Sequence, residues 1–220
     1  ASPARLATLR SAGLNPEVEV SGVDEDTIHA DSVPDLVAAL ARAKAEAVAT
    51  RRLSADTAGI GSDQVVIGCD SLLELDGSGL GKPVDAADAV QRWRMMRGRS
   101  GVLHTGHQLI RLPDGATRTA TASTTVHFAD LDDAEIDAYV ATGEPLLVAG
   151  AFTIDGLGGP YVTRIEGDHH NVVGISLPLL RGLLADLGVP WTDLRDRAGR
   201  HSGCRPTPDA ARSPTSPRCR

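Results

Sequence analysis

Gln64-Val65-Val66-Ile67-Gly68-Cys69-Asp70-Ser71 is the stretch on which the fold turns. It reads as a short apolar strand from Gln64 to Gly68 that delivers Cys69, Asp70 and Ser71 to its C-terminal end. In α/β architectures that end of a strand is where chemistry collects.

The segments on either side supply the helices such a strand needs. Upstream, Ser32 is placed to cap a helix, with Pro34 early and Asp35 at the third position. That helix is expected to run to about Leu53, turning Leu36, Leu40, Ala43 and Ala47 inward. Earlier still, Ala4 to Ala12 reads as a short helix ended by Gly13, and Pro16 to Val20 as a strand with Val18 and Val20 on one side. Gly22 to Asp26 is a carboxylate-rich loop.

Downstream, Asp76-Gly77 makes a turn, Gly81-Lys82-Pro83 follows, and Asp85 caps a helix with Ala89, Trp93 and Met96 on its inner stripe. Val102 to Arg111 and Arg118 to Phe128 are strands joined through Pro113-Asp114-Gly115. Asp132 to Tyr139 is helical, a Gly-rich region from Gly143 to Gly174 wraps the cleft, and Leu177 to Leu187 is a last core helix. The expected division is one domain over residues 1–195 and a disordered tail over 196–220, whose prolines and missing periodicity cannot offset chain entropy.

Composition narrows the function classes. A net charge of -7 argues against general affinity for a nucleic acid backbone or an anionic membrane, while leaving room for a few cations focused in one cleft. No stretch is long and apolar enough to cross a bilayer. Cys69, Cys204 and Cys219 have neither metal-like spacing nor a disulfide framework, which points to a reducing cytoplasm. The opening Ala1-Ser2-Pro3 has no initiator Met and no strand before it, so a first strand is expected to be missing.

Several residues suit phosphate chemistry. Arg5, behind Ser2-Pro3-Ala4 at a helix start, reads equally as an anion ligand and as a surface arginine; Ser2 adds a hydroxyl. Lys82 is framed by glycine and proline but lacks the spacing of a GxxxxGK[ST] loop. Lys44 lies mid-helix among alanines, where a solvated lysine is the commoner case. Asp70 and Glu25 together supply oxygen ligands for Mg²⁺ or Mn²⁺, or a base for an attacking water, against the alternative of a turn cap and a solvated carboxylate.

In order along the chain, Ser2-Pro3-Ala4-Arg5, Asp24-Glu25, Ala41-Arg42-Ala43-Lys44-Ala45, Gly68-Cys69-Asp70-Ser71 and Gly81-Lys82-Pro83 form a recognisable set. Thr142-Gly143-Glu144-Pro145, Ile154-Asp155-Gly156, Ile165-Glu166-Gly167-Asp168 and Asn171-Val172-Val173-Gly174 continue it. The chain resembles the Maf family, the septum-formation-inhibitor-like nucleoside triphosphate pyrophosphatases. The resemblance implies an α/β fold, two-lobed and mixed-sheet around a central cleft, similar to the inosine triphosphate pyrophosphatase architecture. It also implies a cytoplasmic homodimer, a divalent cation held by Asp70 and Glu25, and hydrolysis to nucleoside monophosphate and pyrophosphate by water attacking the α-phosphorus. By the same resemblance Asp70, Glu25 and Lys82 are catalytic, and Ser2, Arg5, Lys44, Ser71, Lys82 and Asp155 bind substrate.

Departures from the family pattern bear on the base. Ala4 replaces the first arginine of Ser-Pro-Arg-Arg, and Val148 stands where lysine is common. Asp155 replaces a glutamine and, ionised, only accepts hydrogen bonds, so the base stays open between dTTP or UTP and modified nucleotides. A nucleotide sensor without turnover and another metal-dependent phosphohydrolase are the rival functions. His104 and His107, three apart on a strand, fall on opposite faces. Asp168-His169-His170 carries a smaller claim to a transition metal, and Cys69 reads as a small buried residue.

Overall fold

The strand opened by Gln64 does not stop at Gly68. In the computed structural model, which describes residues 2–55 and 64–200, β1 runs Gln64–Leu75. The apolar run resumes at Leu72, and nothing breaks it before Asp76 and Gly77, whose φ values of 52° and 78° suit a tight primed hairpin turn. β2 (Ser78–Leu80) returns along the last residues of β1, pairing Leu73 with Leu80 and Leu75 with Ser78. Asp70 therefore sits mid-strand, which corrects the expectation that it lies at the C-terminal end of a shorter strand.

β3 (Ser100–Leu112), β4 (Thr117–Phe128) and β5 (Val162–Glu166) complete a sheet of order β2-β1-β3-β4-β5. Every pairing among these strands is antiparallel, which corrects the mixed pairing within the expected α/β fold. Direct turns between β1 and β2 and between β3 and β4 reverse the chain and leave no crossover for a parallel neighbour.

α1 (Pro3–Ser11) and α2 (Val33–Ala55) take opposite faces of β1. The buried stripe of α2 is Val33, Val37, Leu40, Ala41, Ala45 and Ala49, rotated from the expected Leu36, Leu40, Ala43 and Ala47. Backbone contact decides the rotation. A Cβ on Gly106 would lie 2.1 Å from the Val37 carbonyl oxygen, and one on Gly68 would lie 2.3 Å from that of Ala41. Gly68 thus admits a helix and does not end the strand.

α3 (Ala86–Met96), capped by Asp85, and α4 (Asp133–Ala141), with a reciprocal Asp132–Glu135 cap, close the far half of the sheet. Their core gathers Trp93, Phe128, Tyr139 and Phe152, with Tyr161 at 5.9 Å from the Trp93 ring. The near half holds a second core in which Leu9 and Cys69 meet Leu180, Leu183 and Leu184 of α6 (Leu177–Asp186), after the short α5 (His169–Val173). These two cores mark the two lobes, a smaller third core of Ala45, Ala49, Ile110 and Leu112 joins α2 to β3, and the middle of β1 lies between the first two.

Pro16 to Val20 is not a strand. Val18 and Val20 stay 51% and 70% exposed, and no described strand pairs with them. Arg52 binds Glu19 and Glu17 at 2.7 and 2.8 Å, and Arg51 donates to the Val20 and Ser21 carbonyls, so α2 holds the segment by charge and not by a ladder. α7 (Trp191–Arg200) continues past Arg195, and residues 201–220 of the expected tail lie outside the described residues.

Candidate active site

The side chains of β1 alternate between its two faces, and the site uses both. Asp70 faces α2, where the Lys44 ammonium lies 2.5 Å from its Oδ1 and 2.8 Å from Glu25 Oε1. Sequence spacing cannot show this meeting; it follows from the close seating of α2, since Ala41 and Ala45 lie against Gly68 on either side of Lys44 in the sequence. Glu25 is carried by a single 3₁₀ turn, Glu25–Thr27, whose cap is Asp24. Asp70 is 9% exposed, whereas the Glu25 side chain is about half exposed at 51%.

Burial pushes the Asp70 carboxyl above its ordinary pKa. The charge and hydrogen bond of Lys44, and the charge of Arg5, oppose that push, while Glu25 adds to it. The result is a more basic carboxylate, suited to taking a proton from water, that is still held in place by an ammonium.

Ser71 faces the other way. Ser2 caps α1 by accepting from the Arg5 amide at 3.4 Å, and the Arg5 side chain spans to β1. Its guanidinium donates to the Gly174 carbonyl at 2.6 Å, the Cys69 carbonyl at 2.9 Å and Ser71 Oγ at 2.9 Å. Ser71 shares a hydrogen bond of 2.8 Å with Thr105, which donates to the Asn171 carbonyl. Arg5 is therefore a brace tying α1, β1 and the end of α5, with part of its donor set left for an anion.

Lys82 and Asp155 lie outside these two networks. Lys82 is exposed in the loop between β2 and α3. Its neighbour Gly81 is pinned by Gly150 N and Arg92 Nη1, which donate to its carbonyl at 3.0 and 2.7 Å. Asp155 is exposed beside a cleft of about 320 Å³ whose walls include Thr8 and Ser11 of α1 and His169, His170 and Val173 of α5.

Among the described residues no three His, Cys, Asp or Glu side chains gather to hold a metal. Asp168 instead caps α5, accepting from the His170 amide at 3.0 Å. Asp70 and Glu25 nevertheless fit a hard cation, because both already turn an oxygen toward one positive charge, the Lys44 ammonium. Two carboxylates completed by phosphate oxygens match what Mg²⁺ accepts. Burial pushes the Cys69 thiol up to about 11, which keeps it protonated at neutral pH and unfit as a nucleophile.

His104 and His107 take opposite faces, as their spacing implies. His104 bridges Ser123 and Glu74 at 2.8 and 2.9 Å. His107, fully buried, accepts from the Ser176 amide through Nε2 at 2.9 Å and lies 3.0 Å from the Thr105 carbonyl through Nδ1.

A family model described as Maf-like protein matches residues 1–187, most of the chain. The chain belongs to the Maf family. A nucleoside triphosphate pyrophosphatase of Salinispora tropica is 57% identical to this Maf chain, over 97% of the chain and 92% of the relative. The proteins of that name from Streptomyces coelicolor and Cutibacterium acnes are 55% and 52% identical, each over 88% of the chain and 90% and 91% of their own lengths. Among the described residues of the Maf chain no helix is long and apolar enough to cross a membrane.

Two contributors escaped the sequence reading of the Maf site. Thr105, fully buried, links Ser71 to Asn171, and nothing in its strand context marks it. Glu144 stands in the quoted Thr-Gly-Glu-Pro segment, yet only the structure shows what it holds.

Proposed function

We propose that this Maf chain hydrolyses nucleoside triphosphates to a nucleoside monophosphate and pyrophosphate, with water attacking the α-phosphorus. The observation that carries the reading is one ammonium, Lys44, joined to both Asp70 and Glu25 between the two lobes. Asp70, its proton affinity raised by burial, takes the proton of the attacking water. Lys44 orients Asp70 and places positive charge next to it, while Arg5 and Lys82 neutralise the triphosphate and the departing pyrophosphate. Asp70 and Glu25 would hold a divalent cation, Mg²⁺ or Mn²⁺, which would supply Lewis acidity at the phosphoryl oxygens. A neutral thiol makes Cys69 a poor nucleophile, and in the proposed reaction water displaces pyrophosphate directly, without a covalent intermediate on Cys69.

Asp155 stands by the cleft between α1 and α5, where we place the nucleobase, and Ser71 and Ser2 complete the substrate contacts. An ionised Asp155 accepts only, so it favours a base edge that presents N–H donors, in canonical or modified nucleotides. The resemblance extends the proposal to a cytoplasmic homodimer, which sedimentation at micromolar concentration checks for its assembly.

A panel of nucleoside triphosphates with Mg²⁺ or Mn²⁺, analysed separately for monophosphate, diphosphate, phosphate and pyrophosphate, tests the reaction. Diphosphate with orthophosphate refutes the bond assignment. Tight nucleotide binding with no product supports the sensor instead.

A further inference from the structure

Glu144 opens a 3₁₀ turn, Glu144–Leu147, directly after the left-handed Gly143. Its carboxylate points into the turn formed by residues 153–158 and is wrapped by it. Oε1 accepts from Thr153 Oγ1 at 2.6 Å, Tyr139 OH at 2.9 Å and Gly158 N at 3.1 Å, and Oε2 accepts from Leu157 N at 3.0 Å. The fit leaves no room for side chains on the inner side of the turn. A Cβ on Gly156 would lie 2.5 Å from Glu144 Oε2, and one on Gly158 would lie 2.4 Å from the Tyr139 hydroxyl.

Asp155 is carried on this turn and is itself exposed beside the cleft. Its backbone position is thus set by a carboxylate that never reaches the cleft. Burial alone would raise the pKa of Glu144, but the hydrogen bonds from Thr153, Leu157, Tyr139 and Gly158 outweigh it and hold the group below its ordinary value. Glu144 is accordingly the ionised centre of the turn across the neutral range.

We propose that Glu144 is a positioning residue for base selectivity: it fixes the turn that presents Asp155 to the nucleobase, and it takes no part in the step at Asp70. The inference rests on the reading that Asp155 meets the base. A loosened turn lets Asp155 sample many placements, so the preferred nucleotide loses its advantage while the phosphate chemistry continues.

The test compares kcat and KM over the nucleotide panel for Asp155→Ala, Glu144→Gln and the double variant. Glutamine keeps the shape but puts an N–H₂ where Glu144 accepts. Expected is a rise in KM of about 10-fold for the preferred nucleotide, kcat within about 2-fold, and a double variant no less selective than Asp155→Ala alone. An unchanged nucleotide preference in Asp155→Ala overturns the underlying reading of Asp155. A changed preference in Asp155→Ala with an unchanged one in Glu144→Gln overturns the role of Glu144, as do additive losses in the double variant. If Glu144→Gln does not fold, Tyr139→Phe, which removes one donor to the carboxylate, takes its place: a smaller KM shift of the same pattern supports the proposal, and equal losses in kcat for every nucleotide overturn it.

Discussion

Gly68→Ala separates packing from propensity where β1 meets α2, next to the site. Alanine suits a strand better than glycine does, by roughly 0.5–1 kcal/mol when there is space for the methyl group. Here there is none: the new Cβ would meet the Ala41 carbonyl oxygen at 2.3 Å and Ala45 N and Cβ at 2.9 Å. Those atoms are the backbone and first carbon of α2, so no flexible side-chain end can yield. Ordinary van der Waals contact requires α2 to retreat by roughly 1 Å. That strain costs about 1–3 kcal/mol, as overpacked cores generally do. Lys44 travels with α2, and its 2.5 Å contact to Asp70 opens past hydrogen-bond range. Misplacing a group at the reacting centre by that distance lowers kcat/KM on the order of 100-fold. Urea unfolding and a pyrophosphate-release assay on the same preparation read both effects. A variant with undiminished urea midpoint and wild-type kcat/KM would refute the claim that close helix–sheet contact builds the site.

Other perturbations follow from the same contacts. Gly182→Ala is the matched control, since a Cβ there meets nothing within 4 Å in α6; a gain of about 0.5–1 kcal/mol with unchanged turnover is expected, and a loss in the urea midpoint contradicts it. Lys44→Met removes the largest influences that oppose the upward push on Asp70, so its pKa rises further and the acid limb of kcat/KM moves to higher pH; a limb that stays put, or moves to lower pH, counts against Asp70 as the base. Burial lowers His107 from 6.5 to about 4, so the unfolded chain binds the extra proton first. Its contribution is complete above pH 6.5 and is lost as pH falls toward 4, by roughly 3 kcal/mol in all. The urea stability of His107→Gln should therefore change less than that of wild type over this window, and parallel curves would show that burial of His107 has no such effect.

Much of the fold can be read from local chemistry, and the exceptions have identifiable causes. Asp85 and Asp132 announce their helices because a capping side chain acts within one turn. Pro113-Asp114-Gly115 announces a hairpin in the same way. Gly68 misleads because a glycine that ends a strand and a glycine that admits a helix are the same letter; only the position of Ala41 distinguishes them. The rotation of the α2 stripe has the same origin, being set by Gly68 and Gly106 on other strands and not by periodicity within the helix. Val18 and Val20 alternate like a strand, yet they pair with no described strand, and α2 holds the segment through Arg51 and Arg52 instead. At the site, the order of motifs brings Glu25, Lys44 and Asp70 under suspicion together, yet no spacing predicts that one ammonium touches both carboxylates. Thr105 and Glu144 act through hydrogen bonds to distant segments, and sequence alone carries no trace of those partners.

Hydrolysis in water enriched in oxygen-18, with mass analysis of both products, bears most directly on the reaction assigned to Asp70. Attack at the α-phosphorus puts one heavy oxygen in the nucleoside monophosphate and none in pyrophosphate. Heavy oxygen in pyrophosphate, or in orthophosphate released beside a diphosphate, contradicts it.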